Sequence, residues 1–250
     1  MLLANGVRVW GTARDASRLA PLITNANFSA VVLDLEKPGE AVLAYTNAAS
    51  AAGGFDLIVN NAGYGVFAGF TEIDFSIWQK QLDAMLGATV RLSYAALRGM
   101  LTASRGCIVN VASLATDFPL PFMSGYNIAK AGLSALSESL IFETRGTGVI
   151  VIDFRPGDFR TSFNTTMQST SGLANSDSRQ TKAWKTLEEN INHAPSPAAA
   201  AEGLRKALLR RRSGTVRCGS IFQAHLAPFL VRFIPMWMRR AAMARYFGAD

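Results

Sequence analysis

Tyr126 and Lys130 stand four residues apart at the start of a stretch with helical spacing, which puts a phenol and an ammonium on one helix face. Such a pair suits proton transfer. A free phenol has a pKa of about 10, too high for an efficient acid or base at neutral pH, and a neighbouring cation favours the phenolate and lowers it. A tyrosine and a lysine at this spacing are, on their own, usually a surface pair, so other residues must converge on them. Ser113 lies thirteen residues before Tyr126, at the carboxyl end of the strand-like run Cys107–Val111. Asn60-Asn61-Ala62-Gly63 stands at the carboxyl end of another such run, Leu57–Asn60. In a doubly wound parallel sheet that edge holds the ligand crevice, so all of these groups would open onto it.

The elements that must position them alternate along the chain. Val7–Thr12, Ser29–Leu33, Leu57–Asn60, Cys107–Val111 and Val149–Phe154 are short and rich in Val and Ile, and most are flanked by Gly, Asn, Asp or Pro, as buried parallel strands are. Helical spacing runs from Ile77 through Leu82, Met85 and Leu86 to Leu97, and again from Ala129 through Leu133 and Leu136 to Leu140. Ser196-Pro197 opens a last helix, and a strand over Val216–Cys218 follows it. This alternation implies an α/β fold, a three-layer doubly wound parallel sheet of the Rossmann type, in one domain over residues 1–250. Residues 158–194 are rich in Thr, Ser, Asn and Gln, have weak periodicity and follow a strand end, so they read as a mobile lid over a substrate pocket.

Asn60-Asn61-Ala62-Gly63, Ser113, Tyr126-x-x-x-Lys130 and Arg155-Pro156-Gly157 occur in the order and spacing of the short-chain dehydrogenase/reductase family, which the chain resembles from Val7 to its last strand. The resemblance implies an oxidoreductase that moves a hydride between a nicotinamide and an alcohol or carbonyl compound. Tyr126 would deliver the proton to the developing alkoxide, Ser113 would donate a hydrogen bond to the substrate oxygen, and Lys130 would also bind the nicotinamide ribose. The implied cofactor set is Arg14, Asp34, Asn60, Ala62, Gly63, Tyr126, Lys130, Pro156, Gly157 and Thr161, with Asp34 at the adenine and no metal. Arg14 follows the first strand, where an acidic residue would favour NAD and a guanidinium forks onto the phosphate of NADP, so NADP is expected over NAD. The alternative at that position is an arginine capping a strand end.

Two departures from the family stand out. Members begin with a strand and a glycine-rich turn that holds the pyrophosphate at a helix N-terminus. Here Met1–Asn5 resembles the end of that helix, with Gly6 as its cap, so the chain reads as N-terminally truncated. The absent strand would lie between Val7–Thr12 and Leu57–Asn60, and each backbone group left unpaired would cost about 1–3 kcal/mol. An intact mass of the cellular protein tests this expectation. The second departure is Met85, twenty-two residues after Gly63, where the family has an asparagine that holds a proton-relay water. A thioether is only a weak acceptor, so slower proton delivery is expected.

Composition narrows the remaining classes. Apolar residues make up 49% and charged residues 17%, as in a folded chain and unlike a disordered one. Two cysteines, Cys107 and Cys218, lie in strand-like runs and read as core thiols in the cytoplasm. The net charge of +7 is concentrated in residues 201–250, where ten arginines and lysines face only Glu202 and Asp250. The reading adopted is a solvated helix face and an oligomer edge, with no nucleic acid bound; peripheral membrane contact through this basic C-terminal segment, about 219–250, is the competing reading. Gly219–Met238 is long enough to span a bilayer but carries His225, Pro228, Arg232 and Pro235, so it reads as amphipathic helices capping the body. Phe118, Pro119, Leu120, Phe122, Met123, Phe159 and Phe163 flank the motifs and suit a small lipophilic alcohol or carbonyl substrate, or else a dimer face. Oligomerisation through the helices bearing Met85 and Tyr126 is implied by the resemblance alone. A catalytically disabled binding protein that has lost the phosphate turn is the alternative to an enzyme.

Overall fold

β-branched runs pair in parallel throughout, with helices or short turns between them. The computed structural model describes residues 1–161, 163, 167–169, 179–230 and 233–248. β1 (Val9–Ala13) pairs with β2 (Phe28–Val32) across a 3-10 turn and the short helix α1 (Ala20–Ile23). Helix α2 (Pro38–Ala52) ends on Gly53, whose φ of 74° is the left-handed cap that glycine takes without a Cβ penalty. β3 (Leu57–Asn60) then leads to β4 (Val66–Phe67), and α3 (Phe75–Leu82) runs through a π turn at Asp83–Gly87 into α4 (Ala88–Ala103). β5 (Gly106–Val111), α5 (Ser124–Glu143), β6 (Val149–Pro156), β7 (Gln168–Ser169), α6 (Arg179–Asn192), α7 (Pro197–Leu209) and β8 (Gly214–Cys218) follow, and α8 (Ala227–Leu230) and α9 (Met236–Phe247) complete the order.

Four strands form one sheet in the order β3-β5-β6-β8, all parallel, and β4 pairs with β7 in a small ribbon after the strand ends. Alternate residues of β5 serve opposite faces. Val109 and Val111 pack with Ile152 and Phe154 against Leu204, Ala207 and Leu208 of α7. Ile108 packs with Ile58 and Val149 against Ala96 and Met100 of α4. Helices therefore cover both faces, giving the three layers expected. Each fully buried branched side chain contributes about 1.5–3 kcal/mol.

A polar row crosses this sheet. Asn60, Asn110, Asp153 and Thr215 are register partners on successive strands. Asn60 Nδ2 donates to Asn110 Oδ1 at 2.8 Å and to Ser93 Oγ at 3.0 Å. On α5, Ser137 Oγ accepts from Asn110 Nδ2 at 2.9 Å, Ser134 Oγ donates to Asp153 Oδ2 at 2.6 Å, and Glu138 Oε1 accepts from Thr215 Oγ1 at 2.7 Å. Buried polar groups are costly without partners, so this row fixes α5 against sliding along the sheet.

Three sequence expectations need adjustment. β1 and β2 form a pair of their own, and among the described residues β1 does not bond to β3, the junction at which the resemblance puts a further strand. Within residues 1–64 only Leu19 and Ala41 are buried. The weakly periodic segment 158–194 contains the helix α6, whose buried face is Gln180, Thr181, Ala183 and Leu187; polar and small residues on that face hide its period. Residues 162, 164–166 and 170–178 of the expected lid lie outside the described residues. Strand limits differ by one or two residues at most ends, while β3 agrees at both. Cys107 and Cys218 are free and partly buried, on β5 and β8. Among the described residues no helix is long and apolar enough to cross a membrane.

Candidate active site

α5 carries Tyr126 and Lys130 in its first two turns. Gly125 lets the helix approach α3 closely, because a Cβ there would lie 2.8 Å from Trp78 Cε3 and would strike Gln81 Oε1. Tyr126 comes next, half-buried, with its ring edge-on to Phe163 at 5.5 Å between centroids. Ser113 stands beside its hydroxyl and favours the phenolate. Ser113 is buried just beyond the end of β5, where its Oγ accepts from the Ala115 amide at 3.0 Å and caps the turn Leu114–Thr116. One turn along α5, Lys130 is buried, donates from Nζ to the Val111 carbonyl at 2.6 Å, and sits 5.7 Å from the centroid of the Tyr126 ring.

The loop after β3 closes the other side. Asn61, Ala62 and Gly63 are exposed, whereas the Asn60 side chain belongs to the polar row inside the sheet. A Cβ at Gly63 would lie 3.0 Å from Met85 Cε and 3.7 Å from Lys130 Nζ, so this backbone lies directly over the lysine. Met85 is buried on the π turn between α3 and α4, a local widening often found at functional positions. From β6, Pro156 pairs in register with Cys218, and the Gly157 amide donates to the Cys218 carbonyl at 2.7 Å. A Cβ on Gly157 would lie 3.1 Å from Leu114 Cδ1, so it approaches the turn that Ser113 caps. Asp158 accepts from Gln223 Nε2 at 2.8 Å, and its charge acts on Tyr126. Thr161 is exposed and accepts from the Phe163 amide at 3.2 Å.

Burial sets the protonation of this group. It pushes Lys130 down to about 8, because an ammonium loses its hydration there. Burial also raises the Tyr126 phenol; Ser113 works against it and Asp158 adds to it. The sequence reading has Lys130 lowering the phenol. In the structure the opposing influence is Ser113 and the net direction is upward, because desolvation outweighs it and Asp158 adds to the rise.

Arg14 and Asp34 lie apart from these residues, at the ends of β1 and β2. Arg14 Nη1 pairs with Glu36 Oε1 at 3.0 Å, both groups being well exposed, and Asp34 Oδ1 accepts from the Glu36 amide at 3.0 Å. Tyr64 faces this pair: burial raises its phenol, Glu36 raises it further and Arg14 lowers it. An exposed strip of backbone over a buried lysine, with a cation and a carboxylate at its far end, fits an extended dinucleotide. Lysine has three donors, and among the described residues the hydrogen bond recorded for Lys130 takes up one. Glu36, Tyr64, Asp158 and Gln223 are absent from the sequence reading. Asp158, directly after Pro156-Gly157, carried the clearest signal among them.

The sequence profile of the short chain dehydrogenase family matches residues 1–172. An oxidoreductase of uncharacterised role from Myxococcus xanthus is 36% identical over 175 residues, covering 66% of this chain and 67% of that protein. Dehydrogenase/reductase SDR family member 4 of Bos taurus is 34% identical over 113 residues, or 45% of this chain and 40% of that protein. The chain thus spans less than half the length of this and another of the curated relatives it matches. Among solved structures, a short-chain dehydrogenase from Streptomyces avermitilis superposes with a TM-score of 0.79 over 92% of this chain and 86% of that one; at 24% identity this is a likeness of fold. A metagenomic short-chain oxidoreductase in complex with NADP is 30% identical, with a TM-score of 0.59 over 62% of this chain and 73% of that one. Matched over more than half its length, and with the family's motif residues gathered at one sheet edge, the chain belongs to the short chain dehydrogenase family.

Proposed function

We propose that the protein is an oxidoreductase that interconverts an alcohol and a ketone or aldehyde with NADP(H). The observation that carries this reading is the convergence of Ser113, Tyr126 and Lys130 beneath the open Asn61–Gly63 backbone. Ser113 and the Tyr126 hydroxyl hold the substrate oxygen. A phenol with a raised pKa stays protonated at neutral pH, so Tyr126 gives its proton to the oxygen as negative charge develops there. The nicotinamide, when bound, supplies or accepts the hydride. Lys130 holds the ribose beside it, and Gly63 leaves room for the ring. Pro156, Gly157 and Thr161 bound the same side of the cofactor.

Arg14 supports NADP over NAD, in competition with its Glu36 partner, and Asp34 and Ala62 line the adenosine half. Phe67, Leu120, Phe122, Met123 and Phe163 cluster with Tyr126 and favour a lipophilic substrate. Exposed Tyr94 on α4 and Phe142 on α5 support a homo-oligomer joined through these helices, and two free, partly buried thiols suit the cytoplasm.

The test couples binding to turnover. NADPH is expected to raise the melting temperature of the chain and to be consumed with lipophilic ketones or aldehydes. Tyr126→Phe should lower turnover by about 10²–10⁴-fold with the NADPH-induced shift retained. Undiminished turnover in Tyr126→Phe would remove the proposed acid, and NADPH binding without any turnover would favour the disabled binding protein.

A further inference from the structure

The helical run after β8 presents its apolar side to solvent. From Ile221 to Leu230 the backbone is helical, a π turn over Phe222–Leu226 leading into α8. Its buried positions are the small Ala224 and Pro228, four residues apart. Phe222, Leu226 and Phe229 follow at spacings of four and three along this run and are exposed, and Phe233, in the turn beyond it, is 74% exposed. The Phe229 and Phe233 rings meet edge-on at 5.4 Å between centroids. Trp237, at the start of α9, is 69% exposed. A packing helix would bury this stripe and expose its small residues; here the arrangement is reversed.

Charge says what such a face can meet. Between Glu202 and Asp250 the chain has ten arginines and lysines and no acidic residue. A cavity of about 290 Å3 opens beside the run, lined by Lys206, Arg210, Arg217 and His225. A second copy docked through this face would bring arginine-rich segments together with no carboxylate from them to intervene. A bilayer with anionic headgroups offers both complements, hydrocarbon for the rings and phosphate for the cations. Ten helical residues rise about 15 Å, half the hydrocarbon thickness, so the run lies in the interface and does not span.

We infer that the described residues 221–230 and 233–240 dock the protein on the surface of an anionic lipid bilayer, with Phe222, Leu226, Phe229, Phe233 and Trp237 in the headgroup boundary and the Lys206–Arg210 cavity on a lipid phosphate. The sequence reading assigns this segment to capping the body; what tips the balance is the outward stripe beside the basic cavity. The inference is independent of the proposed chemistry, since the phenylalanine stripe, Trp237, Lys206 and Arg210 lie outside that site; Gln223 of the same run reaches it only through Asp158.

Co-sedimentation of the full chain with phosphatidylcholine vesicles, with and without phosphatidylglycerol, tests it. Binding is expected only to the mixed vesicles and should fall steeply as salt rises to about 1 M, where charges are screened within a few ångströms. Phe229→Ser/Phe233→Ser should weaken binding at least about tenfold through lost apolar burial. Lys206→Gln and Arg210→Gln should each weaken it about fivefold. These side chains lie at the surface, and melting curves check that the variants fold. Quenching of Trp237 fluorescence by brominated lipid reads the same contact in the unmodified chain. Equal binding to neutral vesicles, or none to either, overturns the inference. So does a dimer by light scattering that Phe229→Ser/Phe233→Ser dissociates while vesicle binding is absent, which would make the face a contact between copies.

Discussion

Lys130 keeps an ammonium in a place with little water, and its pKa of about 8 measures the cost. Below pH 8 the lysine is protonated in both the native and unfolded states, so the whole penalty is present, on the order of 3 kcal/mol. Between pH 8 and the ordinary lysine value of 10.5 the native side chain loses its proton while the unfolded one keeps it, and the penalty fades. Lys130→Met is therefore expected to be more stable than the unmodified chain at pH 7, less about 1 kcal/mol for the lost bond to Val111. Denaturant melts of the pair should show that advantage shrinking from pH 8 to 10.5; an advantage independent of pH would mean the cost is not ionic. Cys107, which burial pushes up to about 11, affects both chains alike and cancels in the difference. NADPH should no longer shift the melt of this variant. Met85 is the second residue to test. Met85→Asn should raise turnover by restoring a relay acceptor, at a stability cost of about 1–3 kcal/mol for burying an amide. Unchanged turnover would leave the relay without a role.

The helix that holds the site, α5, is positioned by contacts that local pattern does not reveal. Its apolar period and the four-residue spacing of Tyr126 and Lys130 are legible, because both depend only on helix geometry. Its registration is not. Ser134, Ser137 and Glu138 look like solvent-facing polar residues, yet they pair with Asp153, Asn110 and Thr215, partners 19 to 77 residues away. The close approach of α5 to α3 is equally hidden, and it yields a sharp prediction. Alanine at Gly125 would gain about 1 kcal/mol of helix propensity. Its Cβ would also collide with Gln81 and Trp78, both fully buried, so Gly125→Ala should lose about 1–3 kcal/mol net and lower the melting temperature. Gly132→Ala is the contrast, because its Cβ meets only the flexible end of Leu86 and should be better tolerated. Equal effects of the two would mean that propensity, not packing, governs α5.

Across the molecule, stability is unevenly distributed. The sheet β3-β5-β6-β8 carries Ile108, Val109, Val151 and Ile152 essentially without exposure, whereas β1 and β2 contain no buried residue. Asp117 adds a cross-tie at the ends of the sheet, accepting from Arg155 at 3.0 Å and from Arg217 at 2.9 Å, which joins the turn after β5 to β6 and β8. Local opening tracks the apolar burial and shielded hydrogen bonds of each unit. Native-state hydrogen exchange should therefore show β1 and β2 amides exchanging by a low-energy opening well before those of β5 and β6. Uniform protection across both units would mean that they unfold together. NADPH, held between Arg14 and Lys130 in the proposed function, should narrow the difference.

What the sequence by itself determined is the alternation of strands and helices and the spacing of Ser113, Tyr126 and Lys130, which the structure brings together. Both are written in short-range terms: period, turn chemistry, and the spacing of Tyr126 from Lys130 and Ser113. The tertiary structure alone decided how those residues titrate and which surfaces stay open. Lys130 and Tyr126 shift because of burial, which no neighbour in sequence reports. Arg14 meets Glu36 only because β1 and β2 lie side by side. The apolar period after β8 is visible in the chain, but an amphipathic stripe has the same pattern whether it faces inward or outward. Only its placement over Ala224 and Pro228 shows that it faces out.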